Sequence, residues 1–210
     1  GYNIIVTDES SNNSSIIWNS QHVQSNQSIN VPYLGRPLQP FKRYSFTIKW
    51  SSSNNQTSVG SSSFFGVGPL DEKDWQKAKW VGSDEGTGYL RATVTPIGTT
   101  ADPIFYAQAY ISAPGCATLF INGKNDHATK SGICKWEHWS KRRGYVTVNL
   151  LPYLHTESNK KNQFDIMLGH GMWTKYGANS PSPTVLALLY FETQSGKHLY
   201  VPTSTSTPKQ

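Results

Sequence analysis

The run Tyr44-Ser-Phe-Thr-Ile-Lys-Trp50 alternates large apolar residues with small or charged ones without a break. A period of two places Tyr44, Phe46, Ile48 and Trp50 on one face of an extended chain, which no helix does. The same alternation returns in Tyr89-Leu-Arg-Ala-Thr-Val94, in Ile104 to Ile111, in Ala117-Thr-Leu-Phe-Ile121 and in Gly144-Tyr-Val-Thr-Val-Asn149. Apolar runs Phe164 to Leu168 and Thr184 to Glu192 follow, and Lys197 to Val201 ends the series. Between these segments stand Pro114-Gly115, Asn122-Gly123 and Ser195-Gly196; Asn-Gly after a β-branched and aromatic run is a strong hairpin signal. No stretch carries a long helical period. The fold class is therefore all-β, as two consecutive antiparallel β-sandwiches.

The first sandwich is expected over 1–67, with strands at 2–6, 16–18, 28–31, 44–50 and 62–67. Pro32 to Pro40 reads as loop because its prolines block helix. The pattern changes at Pro69-Leu-Asp-Glu-Lys-Asp-Trp75, where Asp71 or Asp74 caps one helical turn through Gln76 to Lys79. The second sandwich is then 68–210, and its polar tail from Pro202 is expected to fray.

Hydrophobic residues are 36% and charged residues 15% of the 210, while seven Trp and eleven Tyr supply enough bulk for a core, which excludes a disordered chain. The net charge of +6 invites a nucleic-acid reading, but only Lys141-Arg-Arg143 and Lys160-Lys161 cluster, and no recognition helix or RNA-binding aromatic motif accompanies them; no nucleic-acid partner is expected. No apolar run is long enough to span a bilayer as a helix. Composition, with Asn-x-Ser/Thr sequons at Asn12, Asn13, Asn26 and Asn55, points to an extracellular, secreted glycoprotein. Cys116 and Cys134 fit either one disulfide closing the central hairpin region or two free thiols, and no paired C-x-x-C or H-x-x-x-H spacing supports zinc.

The thirteen carboxylates lie mostly in turns, among them the adjacent pairs Asp8-Glu9, Asp71-Glu72 and Asp84-Glu85, whose side chains diverge in extended chain. Glycoside hydrolysis needs two carboxyls facing across a bond, roughly 5 Å or 6.5–9.5 Å apart. Asp126, Glu137 and Asp165, in or near the central stretch, are the candidates retained, and Asp165, between Phe164 and Ile166, reads as exposed or capping. No Gly-x-Ser-x-Gly elbow, phosphate loop or dinucleotide fingerprint is present. No catalytic residue is assigned.

A binding role has more material. A pyranose stacks on an aromatic ring while Asn, Asp and Arg fork onto its hydroxyls. The segment after Asn122-Gly123 supplies Asn125, Asp126, Trp136, Trp139 and Arg142, and Trp173 and Tyr176 follow the last core strand. These seven are the carbohydrate-binding candidates. Trp136 and Trp139 read equally well as cover for a sandwich edge, and Trp173 as core filler. No cofactor is required; calcium could use Asp126 or Asp102.

The order of motifs also resembles a known family. Asp74-Trp75, Trp80-Val-Gly82, Ile111-Ser-Ala-Pro-Gly115, Leu119-Phe-Ile-Asn-Gly-Lys124, Lys141 to Val148, Asn149-Leu-Leu-Pro-Tyr-Leu154 and Met167-Leu-Gly-His-Gly171 stand in the order of the N-terminal accessory region of α-L-rhamnosidases. Tyr2 to Val6, Trp18-Asn-Ser and Tyr33-Leu-Gly extend the likeness over nearly the whole chain. The resemblance implies a fibronectin-III-like sandwich, incomplete because the family's first strands precede Gly1, followed by a jelly-roll sandwich. It further implies that the catalytic carboxylates belong to a downstream domain, and that a rhamnose-containing carbohydrate is the partner. Met172 and residues 125–140 depart from the family pattern. The rival expectation is a structural or adhesive module whose open strand edges are completed by other protein chains.

Overall fold

The computed structural model describes residues 1–10, 14–52, 56–82, 88–95, 97–125, 133, 141–155, 160–171 and 182–204. The chain divides into two compact units, Gly1–Leu70 and Asp71–Gln210, three residues beyond the expected division.

The first unit carries β1 (Tyr2–Asp8), β2 (Ser15–Asn19), β3 (Arg43–Ser51), β4 (Thr57–Val59) and β5 (Ser63–Gly66). All five belong to one antiparallel sheet in the order β2-β1-β3-β4, with β5 also pairing β3. Register places Val6 against Phe46, Ile4 against Ile48 and Tyr2 against Trp50, so the period-two face of β3 continues across β1. Opposite it in β2 and β5 stand Trp18, paired with Val6, and Phe65, paired with Tyr44. Among the described residues the segment 20–42 covers part of this apolar face. Tyr33 meets Trp18 edge-on with ring centroids 5.1 Å apart, Gln39 N–H donates to the Tyr44 hydroxyl at 2.9 Å, and Phe41 is buried.

Ser28–Val31 is not the expected strand. Asn30 takes a left-handed φ of 55°, and the Gln27 amide donates to the carbonyls of Ile29 and Asn30, so local bonds replace a ladder. The expected helical turn also lies earlier. It is a 3-10 turn at Glu72–Trp75 capped by Asp71, and left-handed Gln76 and Lys77 end it before Lys79.

The second unit carries β6 (Val81–Gly82), β7 (Gly88–Val94), β8 (Ile104–Ser112), β9 (Cys116–Ile121), β10 (Lys124–Asn125), β11 (Val146–Asn149), β12 (Asn162–Gly169), β13 (Thr184–Thr193) and β14 (His198–Pro202). One sheet runs β10-β9-β12-β7, and the other runs β11-β8-β13-β14 with β6 on β13. Their facing sides form one core. Leu119 and Ile121 of β9, Phe164, Ile166 and Leu168 of β12, Ala109 and Ile111 of β8, and Leu189 and Phe191 of β13 all belong to it. Each large side chain buried there is worth about 1.5–3 kcal/mol of transfer free energy. All described strand pairings are antiparallel.

Two connections fix this sandwich. Asn122 (φ 51°) and Gly123 (φ 77°) form the two-residue hairpin between β9 and β10. Asn122 then clasps its surroundings: its amide donates to the Tyr153 carbonyl and to Asn162 Oδ1, both at 2.8 Å, and its oxygen accepts from Gln163 N–H. At the other end the turn at Gly115 presses against the chain near His170; a Cβ on Gly115 would lie 2.5 Å from the Gly169 carbonyl oxygen. The Gly-His-Gly segment is thus a close backbone crossing.

Candidate functional site

Alternation decides what the sheet β10-β9-β12-β7 shows on its outer side. Leu90, Ala92 and Val94 of β7 face inward with Phe164, Ile166 and Leu168 of β12, so Tyr89, Arg91, Thr93, Gln163, Asp165 and Met167 face outward. Register aligns four of the outward positions in one row across the sheet. Asn125 pairs with Phe120, Phe120 with Asp165, and Asp165 with Arg91. Three inter-strand steps make this row about 14 Å long. A second row sets Thr118, Met167 and Tyr89 beside it.

Asp165 is not the exposed or capping residue expected from its neighbours. It is 7% exposed, beneath the guanidinium of Arg91. Arg91 Nε donates to Oδ1 at 2.6 Å and Nη2 to Oδ2 at 3.4 Å, while Gln163 Nε2 donates to Oδ2 at 2.7 Å. The Asp165 carboxylate raises the Arg91 pKa, chiefly through its hydrogen bond. Two of the five guanidinium N–H groups are spent on this contact, and the others have no partner among the described residues. Because the carboxylate holds the fork, Arg91 presents pre-oriented donors whose charge is balanced beneath them. Tyr89, 69% exposed, lies two residues along the same strand and adds an aromatic surface. The arrangement suits a neutral, hydroxyl-rich ligand that bonds a fork and lies on a ring.

Of the residues singled out in the sequence, Asn125 stands in this row, half-buried at the edge strand. Arg142 is exposed and lies just ahead of β11, in the other sheet, so the two are not brought together. Asp126, Trp136, Trp139, Trp173, Tyr176 and Glu137 lie outside the described residues, as do Asn12, Asn13, Asn55 and Cys134. Asn26 is exposed. Cys116 is engaged in a disulfide, and Cys134 is the chain's one other cysteine. Arg91, Tyr89 and Gln163 were missed. Their signal was the outward register of Tyr89-x-Arg-x-Thr93, a ring and a cation two residues apart on the polar side of an alternating strand.

Asp102, a calcium candidate, is committed elsewhere. Its carboxylate accepts from the Ser195 hydroxyl at 2.7 Å, from Ser195 N–H at 2.8 Å, and pairs with Lys197 at 3.3 Å. Among the described residues no group of three His, Cys, Asp or Glu could hold a metal ion. Other carboxylates serve as struts as well. Glu9 accepts from Ser14 and Ser45, Asp8 from Ser10, Asp74 from Asp71 N–H, and buried Glu192 from the Tyr190 hydroxyl.

Residues 1–71 match the family model of the Rha78A-like, N-terminal immunoglobulin domain. An α-L-rhamnosidase of Formosa agariphila is 28% identical over 188 residues, which are 78% of this chain and 19% of that protein. One from Alteromonas sp. is 22% identical over 152 residues, 68% of this chain and 16% of that protein. The chain thus spans about a fifth of the length of the curated relatives it matches. In fold it is similar to native α-L-rhamnosidase from Aspergillus terreus, with a TM-score of 0.77 at 21% identity over 97% of this chain and 24% of that one. The α-L-rhamnosidase from Dictyoglumus thermophilum gives a TM-score of 0.72 at 21% identity over the same shares. The chain is therefore similar, in residues 1–71, to the N-terminal immunoglobulin domain of the Rha78A-like family, and along most of its length to the N-terminal region of α-L-rhamnosidases.

Proposed function

We propose that this chain is a non-catalytic, saccharide-recognising region of an α-L-rhamnosidase-like glycoside hydrolase. The Arg91 fork, fixed by Asp165 and flanked by exposed Tyr89, is the observation that carries the reading. A guanidinium neutralised from below offers hydrogen-bond donors to a vicinal diol without the charge that would select an anion. The carboxylates serving as struts support assigning the glycosidic chemistry to a separate catalytic domain. The disulfide at Cys116 supports a secreted location, since such bonds persist in oxidising compartments.

Calorimetric titration with L-rhamnose and rhamnose-containing oligosaccharides tests the reading. Binding to the wild type that falls at least tenfold in Arg91→Ala is expected; equal affinity in both would count against this face.

The exposed Ile16, Ile29, Leu34, Val59, Phe64 and Leu70 of the first unit favour a second reading, a module that docks onto another protein chain. Sedimentation as a monomer at high concentration would argue against self-assembly of that kind.

A further inference from the structure

A cleft of about 480 Å³ opens at the end of the β3–β4 hairpin, in the first unit, lined by Trp50, Ser52, Gln56, Thr57 and Ser58. It lies in another unit from the Arg91 row and stands on independent observations. Its volume falls within the roughly 300–1,000 Å³ usual for small-ligand sites. Trp50 forms the aromatic wall among the described lining residues and is 49% exposed, a large indole surface left open to solvent. The ring is held where it is by close packing on backbone. A Cβ on Gly60 would lie 2.9 Å from Trp50 Cη2 and 3.1 Å from Cζ3, and Gly60 N–H is bonded to the Ile48 carbonyl, so the glycine makes room for the indole. Ser58 faces Trp50 directly across the ladder.

The rest of the lining is hydroxyl and amide. Ser52 ties the hairpin by accepting from Gln56 N–H and by donating its own N–H to the Gln56 carbonyl. The Gln56 amide and the Ser58 hydroxyl have no side-chain partner among the described residues, so they are available to a ligand. Among the described residues no charged side chain lines the cleft. An anion or cation would enter without a counter-charge from these residues, and a purely apolar ligand would strip water from two polar groups with nothing in return. A neutral ring with one C–H face and a rim of hydroxyls satisfies both walls, because its C–H face meets the indole and its hydroxyls meet Gln56 and Ser58, which share Trp50's side of the ladder.

We infer that this cleft is a binding site for a neutral pyranose of a saccharide, stacked on Trp50. The test titrates the full chain with L-rhamnose, a cello-oligosaccharide, a xylo-oligosaccharide and D-glucuronate, following heat and Trp fluorescence, in the wild type, Trp50→Ala and Ser58→Glu. At least one neutral sugar is expected to bind with quenching or blue shift of Trp emission. Affinity should fall tenfold or more in Trp50→Ala and in Ser58→Glu, while D-glucuronate should not bind better than its neutral counterparts. Ser58→Glu sits on an exposed edge strand and keeps the test open should Trp50→Ala fail to fold. Absence of binding by every neutral sugar, preference for D-glucuronate, or unchanged affinity in both variants overturns the inference. Sugar binding that survives both variants but is lost in Arg91→Ala also overturns it, and leaves the reading of the Arg91 face standing.

Discussion

Arg91 Nε and Asp165 Oδ1 are 2.6 Å apart although 74 residues separate them, joined across β7 and β12 on the outer side of the second sandwich. Arg91 is largely exposed while Asp165 is not, so the two partners are not equivalent on removal. Arg91→Ala leaves a nearly buried carboxylate with Gln163 as its side-chain donor. Asp165→Asn keeps the volume and loses the charge-assisted bonds. We expect Arg91→Ala to be the more destabilising of the two, because it leaves a nearly buried carboxylate under-satisfied. Asp165→Asn should cost about 1 kcal/mol. Urea unfolding of the two variants checks the order, and equal, negligible losses would show the pair to be a screened surface contact.

Asn162 is the buried partner of the hairpin clasp, 2% exposed. Its Oδ1 accepts from the Asn122 amide at 2.8 Å and from His155 N–H at 2.7 Å, and its Nδ2 donates to the His155 carbonyl at 3.1 Å. One side chain therefore ties β12, the β9–β10 turn and the segment after Tyr153. Replacing it with Leu strands backbone and side-chain groups that water does not reach. Asn162→Leu should destabilise the second unit by about 2–4 kcal/mol, summing two or more unsatisfied groups. A loss below about 1 kcal/mol in chemical denaturation would refute this role.

Strands with one buried face repeat every second residue, so β3, β7, β8, β9 and β12 could be read from composition along the chain. The Asn122-Gly123 hairpin could be read for the same local reason, since its two positive φ angles require those residues. Register is not local. Nothing in Tyr89-Leu-Arg or in Phe164-Asp-Ile states that Arg91 will face Asp165, so a carboxylate flanked by apolar residues looked solvent-facing. The first unit shows the converse limit. Ser28 to Val31 carries β-branched residues at strand spacing, but Asn30 in a left-handed conformation and the Gln27 side chain end any ladder there.

Asp102 anchors the β13–β14 turn, and its carboxyl is held at about 2 against an ordinary 3.8, chiefly by the Ser195 hydroxyl and further by Ser195 N–H, Thr193 and Lys197. The folded-state value is depressed, so between these two limits the unfolded chain binds more protons and stability rises with pH. The contribution is complete above pH 3.8 and fades as pH falls toward about 2. Asp102→Asn should therefore lower the thermal midpoint at pH 5 while narrowing its gap from wild type toward pH 2. Parallel midpoint curves for the two proteins from pH 5 to pH 2 would rule this out.

Gly115 and Gly123 are both required, for different physical reasons, and alanine separates them. At Gly115 the new methyl would meet two backbone carbonyl oxygens, that of Gly169 at 2.5 Å and that of His170 at 3.2 Å, with Pro183 Cβ at 3.1 Å. Neither carbonyl can turn aside as a flexible side chain would, so the crossing between the β8–β9 turn and the end of β12 must spread. Gly123 has nothing within 4 Å of its missing Cβ, but its φ of 77° costs an L-residue about 1–2 kcal/mol. Gly115→Ala should lose about 3 kcal/mol, at the upper end of overpacking penalties. Gly123→Ala should lose about half of that. The distinguishing measurement is Gly123→Asn, which tolerates the left-handed region and should recover most of the loss, while Gly115→Asn should be worse than Gly115→Ala. Recovery by asparagine at Gly115 would mean that conformation, not contact, limits that turn.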